Sequence, residues 1–340
     1  MNANPLGIDG IACVEFSAPS AEGLGELGRL FKALGLSKRM RHASLEVDAY
    51  LDKDVRFLVN REPHGFAADF ARAHGPCISS MGWWVKDAQL AIEEAVRRGA
   101  RRYEGAGLFG DAPAIYGIGD SLIYFLERPA TGFSAQFIAL DRPELVSSRG
   151  FHLIDHLTNN VEKGTMEQWT RFYMDVFGFT EVRTFDIRGK KTGLTSYALR
   201  SPCGQFCIPI NEGSEEKSQI EEYLREYRGA GIQHLALLSS DLLGSLQGLG
   251  VPTLDIDDEY YRTVFDRVPG VREDHGAIEA AKVLVDGDAD GYLLQIFTQN
   301  VIGPIFFEMI QRENHLSFGE GNFGALFRSI ERDQERRGVI

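Results

Sequence analysis

The feature that most restricts what this chain can fold into is that it carries one short order of elements more than once. Gly75–Asp87 (GPCISSMGWWVKD) can be written beneath Gly229–Asp241 (GAGIQHLALLSSD) without a gap. Each begins at glycine, runs through an apolar strand and ends at an aspartate that opens a helix. After Asp87, the residues Leu90, Ala91, Ala95 and Val96 are expected on one helical face. A second pair sets Ile8-Asp9-Gly10-Ile11 against Ile154-Asp155-His156-Leu157, each followed by a helix. The stripes of those helices are Leu24, Leu27, Phe31 and Leu34, and Met166, Trp169, Tyr173, Val176 and Phe177, at spacings that put them on one face. Strand, helix, then several strands therefore predicts an α+β chain of four βαβββ units, at roughly 1–70, 75–140, 150–215 and 229–310, with a further helix at the C-terminus. The polar, proline-containing stretch Asp141-Arg142-Pro143-Glu144 reads as the linker between an N-terminal domain, 1–145, and a C-terminal domain, 146–340.

Composition excludes several partners. Of 340 residues, 44% are hydrophobic and 25% charged, the balance of a globular protein, and the formal net charge of −13 argues against nucleic acid. The first residues lack the basic start and apolar core of a secretory signal, and no apolar run approaches the roughly 20 residues that span a bilayer. Cys13, Cys77, Cys203 and Cys207 form no CxxC pair and read as reduced core residues, so the expected location is cytoplasmic. Asp286-Gly-Asp288-Ala-Asp290-Gly291 mimics the start of a calcium loop. Its twelfth position is Phe297, where a bidentate glutamate is required, so it reads as a polar turn.

Two of the eight histidines stand out. His156 and His234 lie near the starts of the third and fourth units, at matching places in the repeat. Glu308 lies on an apolar strand among Ile305, Phe306, Phe307, Met309 and Ile310, where an unpaired carboxylate would cost several kcal/mol in order of magnitude. Singly, each has a plainer reading: a histidine in an apolar strand is more often a hydrogen-bonded core residue, and Arg312 is near enough to pair with Glu308. Together, two histidines and a carboxylate with open positions suit non-haem ferrous iron among the metals such ligands bind. The first half has Gly10 and Ser80 at the matching positions in this comparison, and is expected to be a metal-free copy.

These residues sit in motifs that resemble those of the 4-hydroxyphenylpyruvate dioxygenase family, of the vicinal-oxygen-chelate superfamily. They are IDHLTNNV, IPINE, KSQIEEYL, GAGIQHLAL, GYLLQIFTQ, GPIFFEMIQR and FGEGNFGALFRSIE, in the family's order and covering nearly the whole chain. The resemblance implies two open, barrel-like mixed-sheet domains, with a helix at about 322–337 covering the second barrel. It implies Fe(II) as cofactor, held by His156, His234 and Glu308. It implies a substrate pocket of Ser196, Pro209, Asn211, Gln219, Gln233, Gln295, Phe297, Phe306, Phe318, Asn322 and Phe323. The polar side chains would orient the substrate and the phenylalanines would enclose its ring.

The activity implied is conversion of 4-hydroxyphenylpyruvate, a small 2-oxo acid, and O2 to homogentisate and CO2 in tyrosine and phenylalanine catabolism. Decarboxylation, ring hydroxylation and side-chain migration make up that conversion. A homo-oligomer is implied, a tetramer as in bacterial relatives or a dimer as in eukaryotic ones. Three other activities of such folds are set against this. Hydroxymandelate synthesis is disfavoured by Pro209, Asn211, Phe318 and Phe323. Extradiol ring cleavage is disfavoured by the LLQIFTQ and FGEGNF stretches. A metal-free binding module predicts no bound metal.

Overall fold

The structure is a computed structural model that describes residues 3–130, 133–188 and 193–338. In the first half, β1 (Ile8–Ser17), α1 (Ala21–Ala33), β2 (Ser37–His42), β3 (Val47–Asp52) and β4 (Val55–Asn60) form one βαβββ unit. After α2 (Phe66–His74), a second unit follows: β5 (Cys77–Val85), α3 (Ala88–Arg97), β6 (Arg102–Tyr103), β7 (Ala114–Tyr116) and β8 (Leu122–Glu127), then β9 (Phe137–Glu144). The third unit is β10 (Leu153–Val161), α4 (Met166–Phe177), β11 (Thr180–Arg188), β12 (Gly193–Arg200) and β13 (Cys207–Gly213). Beyond α5 (Gln219–Tyr227), the fourth is β14 (Gly231–Leu238), α6 (Leu242–Leu246), α7 (Asp258–Arg267), α8 (His275–Ala280), β15 (Leu284–Gly287), β16 (Tyr292–Phe297) and β17 (Phe306–Glu313). It is closed by α9 (Phe323–Arg337). The α+β class and the four units are as the sequence predicts.

Among the described residues the strands make two mixed sheets, nine strands from the first half and eight from the second. In each, the leading strands of two units pair antiparallel at the centre, β1 with β5 and β10 with β14. The stretch Asp141–Glu144 is not a free linker. It belongs to β9, which pairs with β2 at the sheet edge. Pro143 is tolerated there because the register slips between Ala139 and Glu144 and an edge strand leaves one side unbonded.

The helices bury the faces their periodicity marks, with one exception. In α1, Leu27 and Phe31 are buried, and in α4, Tyr173, Val176 and Phe177. In α3, however, Leu90 and Val96 are exposed, and Ala91, Ile92 and Ala95 pack inward. The expected stripe was set one position aside by the two large residues at its rim.

Paired bulges define the repeat. Between β1 and β5, Ala12 and Ser79 are the unmatched residues; between β10 and β14, they are Asp155 and Gln233. Matching these bulges sets Cys13 against His156 and Ser80 against His234. Gly82 faces Tyr124 as Ala236 faces Glu308, which sets Tyr124 against Glu308. Gly10 is therefore not the counterpart of His156. It lies in an additional irregularity of β1, at φ +99°, where a Cβ would come within 2.7 Å of Gln205 Oε1. The short Ile-Asp match was three residues out of register because that extra irregularity precedes the strand proper.

One hydrophobic core joins both sheets. Trp83 of β5 packs edge-on against Phe177, with ring centroids 4.9 Å apart, and Phe57 of β4 lies 5.8 Å from Phe307 of β17. A second, smaller core lies on the face of the first sheet that carries Cys13 and Tyr124. There Leu108, Phe109, Phe133 and Phe137 fill the space in front of the would-be ligand positions. On the second sheet the equivalent space is open, and it holds the cavity described next.

Candidate metal centre

Alternation along β17 sends Phe307 and Met309 into the shared core and turns Phe306 and Glu308 to the opposite face. β10 and β14 bring His156 and His234 to that face. One ligand atom from each of His156, His234 and Glu308 lies within 4.8 Å of the others, and among the described residues this is the one cluster of metal-ligating type. His156 Nε2 is 3.0 Å and His234 Nε2 3.5 Å from Glu308 Oε2.

The bulges aim these rings. A bulge re-directs the side chains beside it, and here each bulged residue immediately precedes a histidine and partners its Nδ1. Asp155 Oδ2 lies 2.8 Å from His156 Nδ1, and Gln233 Oε1 lies 3.2 Å from His234 Nδ1. With Nδ1–H donated to these oxygens, each Nε2 would offer its lone pair to a metal that takes the place of any proton there, the tautomer a metal needs. The three side chains thus fit a divalent ion, and fit the two-histidine, one-carboxylate set that Fe(II) favours.

Charge is finely opposed here. Burial works against ionising Glu308, but the two histidines hold its carboxyl down at about 2. Burial likewise disfavours charge on His156, yet Glu308 and Asp155 raise it to about 9. Burial lowers His234, with Glu308 opposing. Asp155, also buried, is kept well below the ordinary carboxylate range by His156 and Arg312. Arg312 pairs with Asp155 and not with Glu308, so the plainer sequence reading of the glutamate does not hold.

Above the cluster lies a cavity that opens to solvent. Its wall includes Ser196 and Asn211, facing each other across β12 and β13, with Pro209 below. It includes Gln219, the first residue of α5, placed there by Ser218, whose Oγ caps the helix by accepting from Glu221 N. Gln233, Gln295, Phe297, Phe306, Phe318, Asn322 and Phe323 complete the set named from sequence, and the structure brings all of them to this one cavity. Gln295 Nε2 donates to Glu308 Oε1 at 2.8 Å, and Asn322 Nδ2 donates to Gln295 Oε1 at 2.8 Å. The α9 stripe of Phe323, Leu326, Phe327 and Ile330 roofs it, and Phe185 meets Phe323 edge-on at 5.3 Å.

Sequence reasoning missed Thr158, Phe185, Ile187 and Leu194 in the wall, and Asp155 and Arg312 behind His156. An aspartate directly before a ligand histidine was the available signal for the first of that pair. The Asp286–Gly291 stretch ends β15 and turns into β16, with Asp288 accepting from Asp290 N and Gly291 N. No helix among the described residues is long and apolar enough to cross a membrane.

Comparison with known proteins agrees with this geometry. The profile described as hydroxyphenylpyruvate dioxygenase, N-terminal, matches residues 2–136. That of the glyoxalase/bleomycin resistance protein/dioxygenase superfamily matches 153–296. The chain is 54% identical to Protein MelA of Shewanella colwelliana, over 99% of each. It is 44% identical to 4-hydroxyphenylpyruvate dioxygenase of Legionella pneumophila, over 100% of this chain and 98% of that one. In fold it resembles a solved mutant of 4-hydroxymandelate synthase from Streptomyces coelicolor, with TM-score 0.81 and 24% identity over 96% and 99% of the two chains. Fold and site together define a non-haem iron dioxygenase of the glyoxalase/bleomycin resistance/dioxygenase superfamily. Within it, the chain belongs to the hydroxyphenylpyruvate dioxygenase family.

Proposed function

We propose that this protein is an Fe(II)-dependent 4-hydroxyphenylpyruvate dioxygenase, converting 4-hydroxyphenylpyruvate and O2 to homogentisate and CO2. The observation that carries the reading is the buried His156, His234 and Glu308 set opening onto a cavity walled by phenylalanines and amides. Those three side chains would hold the iron at the floor of the cavity. When bound, the iron supplies chelation of a 2-oxo acid and activation of O2.

The chain's own residues do the rest. Ser196, Asn211, Gln219 and Gln233 offer donors and acceptors at the wall for the substrate's polar ends. Gln295 fixes the orientation of the Glu308 carboxylate. Phe297, Phe306, Phe318 and Phe323 confine the aromatic ring by shape and edge contacts, and α9 keeps water out. Residues 1–145 form the metal-free domain of this scheme and 146–340 the catalytic one, acting as a homo-oligomer in the cytoplasm. The four free cysteines, two buried and two half-buried, suit a reducing compartment.

An anaerobic titration of the ferrous protein with 4-hydroxyphenylpyruvate is the test. A visible charge-transfer band on binding is expected, followed on admitting O2 by homogentisate and CO2 in equal amounts. His234→Ala is expected to abolish both the band and turnover. Hydroxymandelate as product, or turnover by the His234→Ala protein, would overturn the reading.

A further inference from the structure

Arg312 lies on β17 four residues beyond Glu308, with its side chain 13% exposed. Its guanidinium grips Asp155 with two bonds, Nε to Oδ1 and Nη2 to Oδ2, each 2.9 Å. The remaining Nη1 donates to the carbonyls of His315 at 3.1 Å and Ser317 at 2.6 Å. The same group lies 5.9 Å from the Phe318 ring, which in turn packs edge-on against His156 at 5.6 Å. One planar fork therefore holds both the bulged aspartate behind a metal ligand and the backbone that leads into α9. A lysine has neither the reach nor the geometry for both.

The far end of that backbone is tied to the opposite ligand. Glu308 is joined through Gln295 to Asn322, whose Oδ1 lies 2.6 Å from the Tyr260 hydroxyl and 3.3 Å from Arg267 Nη2. Gly321 N donates to Asp286, itself paired with Arg267. The segment 315–322, from which the roof helix springs, is thus fastened at both ends to groups that orient metal ligands.

We propose that Arg312, acting through Asp155, is a positioning residue that couples the metal centre to the closing helix, so that metal seating and closure of α9 stabilise each other. The proposal rests on the iron reading above. Coupling of this kind is reciprocal: an arginine serving only as structural glue would hold the segment equally well with and without metal.

The test uses the metal-stripped full-length protein titrated with Co(II), with backbone hydrogen exchange followed across residues 315–330 before and after loading. In the unaltered protein, Co(II) is expected to slow exchange in that segment. Arg312→Lys and Asp155→Asn are expected to weaken Co(II) binding by about 10–100-fold, the usual effect of losing a ligand's supporting partner. At saturating Co(II), both are also expected to lose the added protection. The proposal is overturned if Co(II) leaves exchange in the unaltered protein unchanged, if either variant binds Co(II) within about twofold of it, or if the variants keep the added protection. Asp155→Asn keeps the side chain's size and decides the matter should Arg312→Lys fail to fold. Absence of Co(II) binding by the unaltered protein would instead remove the metal reading itself.

Discussion

Glu15 is a buried carboxyl in the first half whose chemistry its surroundings alter. It sits on the same face of β1 as Cys13, fully buried, accepting from Asn60 Nδ2 at 2.7 Å and Ser80 Oγ at 2.5 Å. Burial raises its pKa, with the Ser80 and Asn60 bonds opposing. The folded protein therefore holds this proton where the unfolded chain has released it, and the stability it contributes is present below the ordinary carboxylate range and lost as pH rises through the raised folded value. Glu15→Gln keeps a carbonyl to accept from Asn60 Nδ2 and turns an amide N–H toward the Ser80 hydroxyl, which would then accept in place of donating. It is expected to flatten the fall of stability with pH across that window, as read from denaturant midpoints at a series of pH values. An unchanged slope would show that Glu15 is not its source. At this scale the ligands were legible because histidine and glutamate in apolar strands need a reason to be there. The pairing of Asp155 with Arg312 was not, since it spans 157 residues, and only the aspartate's place directly before a ligand histidine hinted at its own part.

Elements place these residues with little slack. α5 is short, and its first residue, Gln219, reaches the cavity because Ser218 ends the preceding loop and caps the helix. Ser218→Ala removes the acceptor for Glu221 N. It is expected to cost about 1 kcal/mol of stability and to raise KM for the keto acid more than it lowers kcat, because Gln219 loses its fixed start. Equal loss of both kinetic terms would place Ser218 outside substrate positioning. Helix periodicity made α1, α4 and α9 readable, and alternation made β14 and β17 readable. It failed at α3, where Ile92 turned inward in place of Leu90 and Val96. It also failed at β9, where an edge pairing absorbs a proline-containing stretch that looks like a linker.

The whole molecule is held by a core that does not respect the halves. Trp83 belongs to the first sheet, yet Phe177, Phe179 and Phe206 of the second half surround it. Heat or denaturant is accordingly expected to unfold both sheets in one transition. Trp83→Ala is expected to destabilise that transition by about 3–5 kcal/mol, with fluorescence and circular dichroism midpoints still coincident. Two separated transitions would show the halves to be independent. The four-unit order was legible in sequence because each unit repeats its own local pattern. The joining of the halves was not, because the side chains that meet are far apart in the chain and carry no mark beyond being large and apolar.

The duplicate bulges on β1 and β5 bear on how such a centre could be moved. They preserve the backbone bend that aims two ligands, while Cys13, Ser80 and Tyr124 occupy the coordinating places and Phe109, Phe133 and Phe137 occupy the room in front. Transplanting histidines and a glutamate onto those three positions would recreate a ligand arrangement facing a wall. In this scaffold the scarce commodity is empty space, and a second working centre would have to begin by carving out the aromatic filling.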